Sequence, residues 1–430
     1  MSALADELVR QAKQDAADGR IDEAKTAYLR ALQHEPDHAD AMTGLGALLA
    51  SIGMATDARV ILEETVRRHP AHADAHRVLV TVCSALGDKA AAYQHSMREF
   101  EVRPSLTIPY VGTGTPVRLL LVSAADGINT RTARFRDRRL FETTYVAAEF
   151  IGDRPLPDHD IVFNTIGDAE RSLAVIDAAE RVVARTTRPV LNHPRHVRAT
   201  QRVDNALRLA AIPGVRTARM SRIPRARAAD PTLIAELGLP FLLRVPGHHT
   251  GEFFERIDDP AQIETALAAL PGDELLAMSF LDTRDEQGRY HKYRMMIIDG
   301  TLYPLHAAMG TTWKLHFFSG THGADERALD TAFLADPEAG IGTPAMTALR
   351  AIAAELHLDY GGIDFGIDRD GNVLVFEANA TMTVPEADPD PAFAYRTPYL
   401  DTVAVAVMRM FVTRAKSAAA RTDRGATQFI

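Results

Sequence analysis

The sequence holds one cysteine, Cys83, and one tryptophan among 430 residues. A single thiol excludes any disulfide within the chain and fits a reducing compartment. No apolar run approaches the roughly 18 residues that a membrane-spanning helix needs. From Met1 to Arg10 the chain is helix-forming and acidic, with no basic stretch leading into an apolar one, and so reads as no signal peptide. Positive charge is also short: 48 Lys and Arg against 57 Asp and Glu leave a net charge of −9, which weighs against nucleic acid as the main partner. The expectation is a cytoplasmic protein with neither membrane nor nucleic acid as a partner. The remainder is an ordinary globular balance, 46% hydrophobic and 24% charged. Its length suggests about two to four domains.

What is present repeats. Gly19, Gly53 and Gly87 lie 34 residues apart, as do Ala24, Ala58 and Ala92, and Pro36, Pro70 and Pro104. That period is the length of the helix–turn–helix tetratricopeptide unit. The glycine allows the turn between two helices, and the alanine lets them approach. The proline stops the second helix because it cannot donate to the helical ladder. Tyr28, Ala31, Leu45 and Gly46 fall where the repeat packs its helices; Ser96 and Glu99 replace packing residues in the third unit, as a terminal repeat allows. Residues 1–104 are thus expected to form six helices in three pairs. Such an array offers a concave surface to a peptide or partner protein, or a self-association surface for a homodimer. Cys83 falls inside a helix of the third unit and reads as a small core residue.

Pro104, Pro109, Gly112, Gly114 and Pro116 mark a linker. Beyond it, the apolar run 117–122 and strand-like runs at 145–151 and 160–166 alternate with a helical 169–184. This alternation reads as a small α/β domain with a mainly parallel sheet.

The chemistry concentrates in residues 362–379, GIDFGIDRDGNVLVFEAN. Two alternating runs flank Asp370-Gly371, a strong hairpin signal. A two-residue loop there puts Arg369 opposite Asn372 and, counting back along both strands, Asp364 opposite Glu377. Asn379 shares their face by the period-two alternation of a strand. Ile363, Phe365 and Ile367, with Leu374, Phe376 and Ala378, fall on the other, apolar face. Facing carboxylates repel and weaken a strand pair, and a divalent cation turns that repulsion into binding. Two carboxylates and an amide oxygen make a hard ligand set suited to Mg²⁺ or Mn²⁺. A solvated polar face without metal is the plain alternative.

The D-x-F strand, D-G turn and E-x-N strand, with the acids 13 positions apart, resemble the metal-binding hairpin of the ATP-grasp enzymes, among them D-alanine–D-alanine ligase and glutathione synthetase. The resemblance implies an α+β multidomain chain: all-α tetratricopeptide repeats at 1–104, a small α/β pre-ATP-grasp domain at 116–195, and a two-subdomain ATP-grasp fold at 196–415. It implies that Asp364, Glu377 and Asn379 hold magnesium on the phosphates of ATP. It gives phosphate contact to Arg244, where relatives often carry lysine, and to the loop Gly247-His248-His249-Thr250-Gly251. Arg202, opening the helical 201–211, becomes a further phosphate or adenine contact. It lies in a segment, 181–227, with twelve arginines and one acid, Asp204, most of them ordinary solvated surface. Backbone groups at Phe280 and Leu281 would hold the adenine edge, Asp285 the ribose, and Arg294 the transferring phosphoryl group. Lys314, beside Trp313 in the run 306–316, reads as part of a mobile flap touching the acceptor or acyl phosphate. After Asn379 the chain reads Ala380-Thr381-Met382 where relatives often have a proline-glycine turn, a departure that bears on the acceptor loop.

The implied activity is a magnesium- and ATP-dependent ligase forming a C–N bond. A carboxylate substrate takes the γ-phosphoryl group as an acyl phosphate, and an amine acceptor, a peptide or small protein among the candidates, displaces phosphate. No Ser-His-Asp or Cys-His pattern competes for the chemistry. Two other readings stand beside it: an ATP-grasp kinase or carboxyl-activating enzyme with a non-amine acceptor, and a repeat scaffold that binds nucleotide without turnover.

Overall fold

The computed structural model describes residues 3–127, 129–248, 251–315 and 323–427, with side chains as far as 418. The chain forms two compact units. The first takes the residues up to Thr107 with Ser123–Gly127 and Tyr145–Pro155; the second takes Ile108–Val122, Ile128–Thr144 and everything from Leu156.

In the first unit, six helices pack in successive pairs: α1 (Ala3–Ala17), α2 (Ile21–His34), α3 (Ala39–Ser51), α4 (Ala55–Arg68), α5 (Ala73–Ala85) and α6 (Lys89–Val102). Each pair turns at a left-handed glycine, with φ of 78° at Gly19, 84° at Gly53 and 78° at Gly87, where a side chain would be strained. Ala24, Ala58 and Ala92 are buried. Gly46 lies so close to Leu62 that a Cβ would meet its Cγ at 2.6 Å. The departures at Ser96 and Glu99 have a physical reason, since both are buried. The Ser96 hydroxyl donates to the Ala125 carbonyl of the same unit, and Glu99, its carboxyl raised by burial against the pull of Arg77 and Arg103, pairs with Arg103.

A further series with the repeat spacing ties one helix pair to the next. His38 and His72 cap α3 and α5: each Nδ1 accepts from a backbone amide, Ala41 and Ala75, at 3.2 Å. Their Nε2 atoms face Asp6 Oδ1 at 3.1 Å and Asp40 Oδ1 at 2.9 Å. A neutral ring with its proton on Nε2 does both jobs. Losing a cap side chain costs about 0.5–2 kcal/mol, so His72→Ala should lower stability by that amount in urea unfolding of the whole protein. An unchanged midpoint would mean that the cap contributes nothing.

The turn-rich segment read as a linker is not free chain. It contains β1 (Ser105–Ile108), and the Val111 amide donates to Arg138 O at 2.9 Å. There follow β2 (Val117–Ser123), β3 (Phe141–Ala147), β4 (Ile161–Asn164), α7 (Leu173–Val183) and β5 (Val190–Leu191). Strands β2, β4 and β5 run parallel, side by side. The strand expected at 145–151 starts earlier and stops at Ala147, because the amides of Phe150 and Ile151 both turn back to the Ala147 carbonyl.

After α8 (Pro194–Arg198) and α9 (Arg202–Leu209), two sheets carry the rest. Strand β6 (Val215–Thr217) precedes a four-stranded sheet made of β7 (Met220–Pro224), β8 (Phe241–Arg244), β9 (Phe254–Ile257) and β10 (Glu274–Ser279), in the order β7-β10-β8-β9. Its core face, with Phe241, Leu243, Leu275 and Ala277, packs with Leu233 and Leu237 of α10 (Pro231–Leu237) and Ile263 of α11 (Ile263–Ala269). The second sheet has β11 (Tyr290–Ile298), β12 (Thr301–Gly310), β13 (Tyr360–Ile367) and β14 (Val373–Asn379), in the order β12-β11-β13-β14-β6. Of the helices α12 (Ala324–Ala335), α13 (Pro337–Ile341), α14 (Thr343–Leu356) and α15 (Thr397–Thr427), α12, α14 and α15 pack against it, and α13 packs between α12 and α14. The architecture is mixed α+β behind a helical-repeat N-terminus. Among the described residues no helix is long and apolar enough to cross a membrane.

Candidate active site

Strand alternation sorts the four-stranded sheet into two faces. Leu242 pairs with Met278 and Met278 with Met220, while Arg244 pairs with Leu276 and Leu276 with Arg222. These six residues share the face away from the core. On it, Ala218, Leu242, Leu276 and Met278 form a small buried apolar cluster, flanked by Val203, Met220, Phe254, Phe280, Leu281 and Trp313. The Trp313 ring meets Phe254 edge-on at 5.1 Å and Phe280 at 6.4 Å.

One rung along the same face the character changes to cationic. Arg244 is buried, with its guanidinium 5.3 Å from the Phe254 ring centroid. One nitrogen donates to the His248 carbonyl, and Nε has no hydrogen-bond partner among the described residues. Burial first, and the neighbouring Arg202 second, lower its pKa to about 10 against the pull of Glu377, Glu170 and Asp168. An arriving anion would satisfy the Nε and offset the burial.

The hairpin supplies the opposite charge. Asp364 faces Glu377, and Gly362 faces Asn379. The loop, however, has three residues rather than two: Asp368 N donates to Asn372 O at 3.0 Å, and Gly371 turns the chain at φ 81°. Nearer the turn the pairs are therefore Ile367–Val373 and Phe365–Val375, one step off the expected register. A β-bulge at Phe376 then restores the pairing that sets Asp364 opposite Glu377. Val373 and Val375, rather than Leu374 and Phe376, line the apolar face.

Strand β11 lays two cations on Asp364. Arg294 is its register partner and donates through both Nε and Nη2, the latter at 2.8 Å from Oδ2. Lys292, two residues earlier and on the same face, brings Nζ to 2.7 Å of Oδ2. Arg202, opening α9, sets Nη2 2.6 Å from Glu377 Oε1, and Asn379 Nδ2 donates to that oxygen at 2.7 Å. Burial alone would raise the Asp364 carboxyl; Arg294 and Lys292 outweigh it and hold the group well below the usual carboxylate range. His306 faces Arg294 from β12, and burial, followed by Arg294, holds its pKa well below the ordinary value, so the ring stays neutral. Glu170 anchors this corner, accepting from the Arg202 amide at 2.7 Å and from the Arg222 guanidinium.

Asp364 and Glu377 fit a hard divalent cation: both offer oxygen from one face of one strand pair, and cationic groups already sit on each. Among the described residues no three His, Cys, Asp or Glu side chains gather as a metal cluster. The third expected ligand, Asn379, lies against Glu377. Asn379 Oδ1 accepts from Thr381 N at 3.0 Å and Thr381 Oγ1 at 2.8 Å, so Asn379 here braces Glu377.

Other residues singled out from the sequence are held differently. Asp285 closes its own turn, accepting from Arg289 N and Nε at 2.8 Å and Gln287 N at 2.9 Å, with His291 Nε2 at 2.9 Å. That leaves its acceptors engaged within the turn. Lys314 Nζ donates to Phe254 O at 3.1 Å, which fixes it over β9. The expected flap is partly strand: residues 306–310 complete β12, with His306 buried. His316 lies outside the described residues, as do His249 and Thr250. His248 packs edge-on against Phe253 at 4.8 Å, and Gly251 takes a left-handed φ of 73°. The sequence reading missed Lys292, Glu170 and the pairing of Arg222. Lys292 had a legible signal, since K-x-R on a strand aims both side chains at one face. Glu170 had none, because its two arginine partners arrive from distant segments.

A family model for the tetratricopeptide repeat matches residues 15–80. Among solved structures, the chain is similar to D-alanine–D-alanine ligase from Bacillus anthracis complexed with ATP. Identity is 12% and the TM-score 0.42, over 70% of this chain and 99% of that one. It is also similar to the VanG D-Ala:D-Ser ligase from Enterococcus faecalis, at 9% identity and a TM-score of 0.44, over 69% of this chain and 100% of that one. A search of curated proteins finds no match. Neither structural likeness assigns a residue or a substrate to this chain.

Proposed function

We propose that the protein is an ATP-dependent ligase of the ATP-grasp type, joining a carboxylate to an amine through an acyl phosphate, with Mg²⁺ or Mn²⁺ held by Asp364 and Glu377. One observation carries this reading: an apolar cluster, a row of cations (Arg244 buried, Arg202, Lys292 and Arg294 half-buried) and a facing pair of carboxylates follow one another. Arg244 pairs across the sheet with Leu276 of that cluster, and the charges of Arg202 and Glu377 both act on it. A purine, a polyphosphate and its divalent cation need those three environments in that order.

Backbone groups at Phe280 and Leu281 then meet the purine edge. Arg244, Arg202 and the loop from Gly247 to Gly251, with His248, His249 and Thr250, hold the phosphates, and Arg294 meets the transferring group. Held by Asp364 and Glu377, a divalent cation would supply charge neutralisation to the phosphoryl group being transferred. A substrate carboxylate oxygen attacks the γ-phosphorus as the bond to the ADP oxygen breaks. The amine nitrogen then attacks the acyl carbon, phosphate leaves, and the nitrogen gives up a proton. The chain's own part is positioning and charge stabilisation, without a covalent bond to protein. Asp285 and Lys314, held by their own turn and by Phe254, take no step in it.

In this reading the repeats at 1–104 recognise a peptide or protein substrate, ahead of a pre-ATP-grasp domain at 116–195 and the catalytic domain at 196–415. The repeat match at 15–80 supports that role. The test is ADP release by the whole protein with Mg²⁺, ATP and panels of carboxylates and amines, peptides included. The expected result is ADP in step with new amide, with ¹⁸O passing from a labelled carboxylate into phosphate. ADP and a phosphorylated product without amide would make it a kinase, and ATP bound without ADP release would make it a scaffold.

A further inference from the structure

Asp364 carries more positive charge than it needs. Arg294 alone satisfies both its oxygens with a two-pronged grip, yet Lys292 adds a second cation to Oδ2 at 2.7 Å. Arg202 on Glu377 and the buried Arg244 add two more. Four cations therefore gather about the two facing carboxylates, with Glu170 and Asp168 also acting on Arg244, and Asp364 is doubly paired although Arg294 alone engages both its oxygens. The two groups on Asp364 also differ in kind. Arg294 is a planar fork fixed in register with its partner, whereas Lys292 is a point charge on a flexible four-carbon stem. Its side chain keeps 19% exposure while that of Asp364 keeps 2%, so the lysine is not sealed in with its partner, and its flexible stem lets the ammonium change partners.

We infer that Lys292 is a phosphate-binding residue that changes partners: it neutralises Asp364 while the site holds no divalent cation, and it moves to the triphosphate when metal and nucleotide enter together. This rests on Asp364 being a metal ligand in the reading above. A bare divalent cation must displace the ammonium and strand it beside a second positive charge. A cation arriving with ATP brings the phosphate oxygens that receive it. Lys292 thereby suppresses loading of free metal and favours the metal–nucleotide complex, so the two arrive as one ligand.

The test is Mn²⁺ binding followed by the electron paramagnetic resonance of free Mn²⁺, with the whole protein, alone and with a non-hydrolysable ATP analogue. Lys292→Gln should tighten Mn²⁺ binding without nucleotide by roughly fivefold to tenfold, the scale of one lost charge pair. It should weaken binding of the Mn²⁺–analogue complex by a similar factor, and Lys292→Arg should stay near wild type in both. Should the glutamine variant fail to fold by circular dichroism, Lys292→Met keeps the packing of the stem and carries the same expectations. Unchanged or weaker binding of Mn²⁺ alone would overturn the inference. Tighter Mn²⁺ without loss of the analogue would make Lys292 a counter-ion only and overturn its phosphate role. A wild-type protein that binds no Mn²⁺ even with the analogue would remove the metal-site reading itself. Wild-type binding that is indifferent to Lys292 would leave that reading standing and remove the inference alone.

Discussion

Arg294→Met is expected to lower ADP release by about 10³-fold or more, the usual scale of a lost arginine clamp in phosphoryl transfer. Arg294 is the register partner of Asp364 and lies against buried His306. Its charge is therefore held in a poorly solvated place, where it acts most strongly on charge developing nearby. ATP binding should weaken far less, because Arg202, Arg244 and Lys292 remain. Single-turnover phosphoryl transfer, measured beside equilibrium binding of an ATP analogue, separates the two effects. A rate loss below about tenfold would place Arg294 outside the reaction, on that same scale.

Asp364→Asn should be the most damaging substitution for stability. The neutral amide leaves Arg294 and Lys292 facing each other without a counter-charge, and breaking a buried ion pair from one side costs about 3–5 kcal/mol. The pH dependence has a fixed sign. The folded pKa of Asp364 lies below the ordinary carboxylate value, so its contribution is complete above the unfolded pKa of about 3.9 and is lost as pH falls toward the folded one. The stability gap between wild type and variant should thus be level near neutrality and should narrow below about pH 4. Urea unfolding at several pH values measures it; a gap that widens in acid would contradict the assignment.

Much of the fold was legible because its signals are local and periodic. The 34-residue spacing located three glycine turns, and all three glycines have positive φ. The facing of Asp364 and Glu377 was legible for a less direct reason. The loop is one residue longer than Asp-Gly suggests, and the bulge at Phe376 adds one residue to the same strand, so the two departures cancel at the carboxylates and show only between them. Alternation cannot reveal a bulge, which is why strict alternation puts Leu374 and Phe376 on the wrong face. The polar partners were less legible, because a side chain's use depends on what the fold brings to it. Asp285 resembles a ribose ligand by position, yet the turn through Gly288 and Arg289 engages its oxygens. Lys314 stood beside Trp313 in a polar run, whereas Lys292, hidden two positions before an obvious arginine, reaches the carboxylate.

The central claim is that Asp364 and Glu377 hold a divalent cation on a bound nucleotide, and thermal unfolding of wild type and Glu377→Gln with ATP and Mg²⁺, separately and together, tests it most directly. A ligand that binds only the folded state stabilises by about 2.7 kcal/mol at a hundredfold excess over Kd. The wild-type transition should therefore rise clearly with ATP and Mg²⁺ together and little with either alone. In the variant, measured from its own baseline because the Arg202 pair is also lost, most of the magnesium-dependent rise should vanish. An equal rise in both proteins would contradict the account.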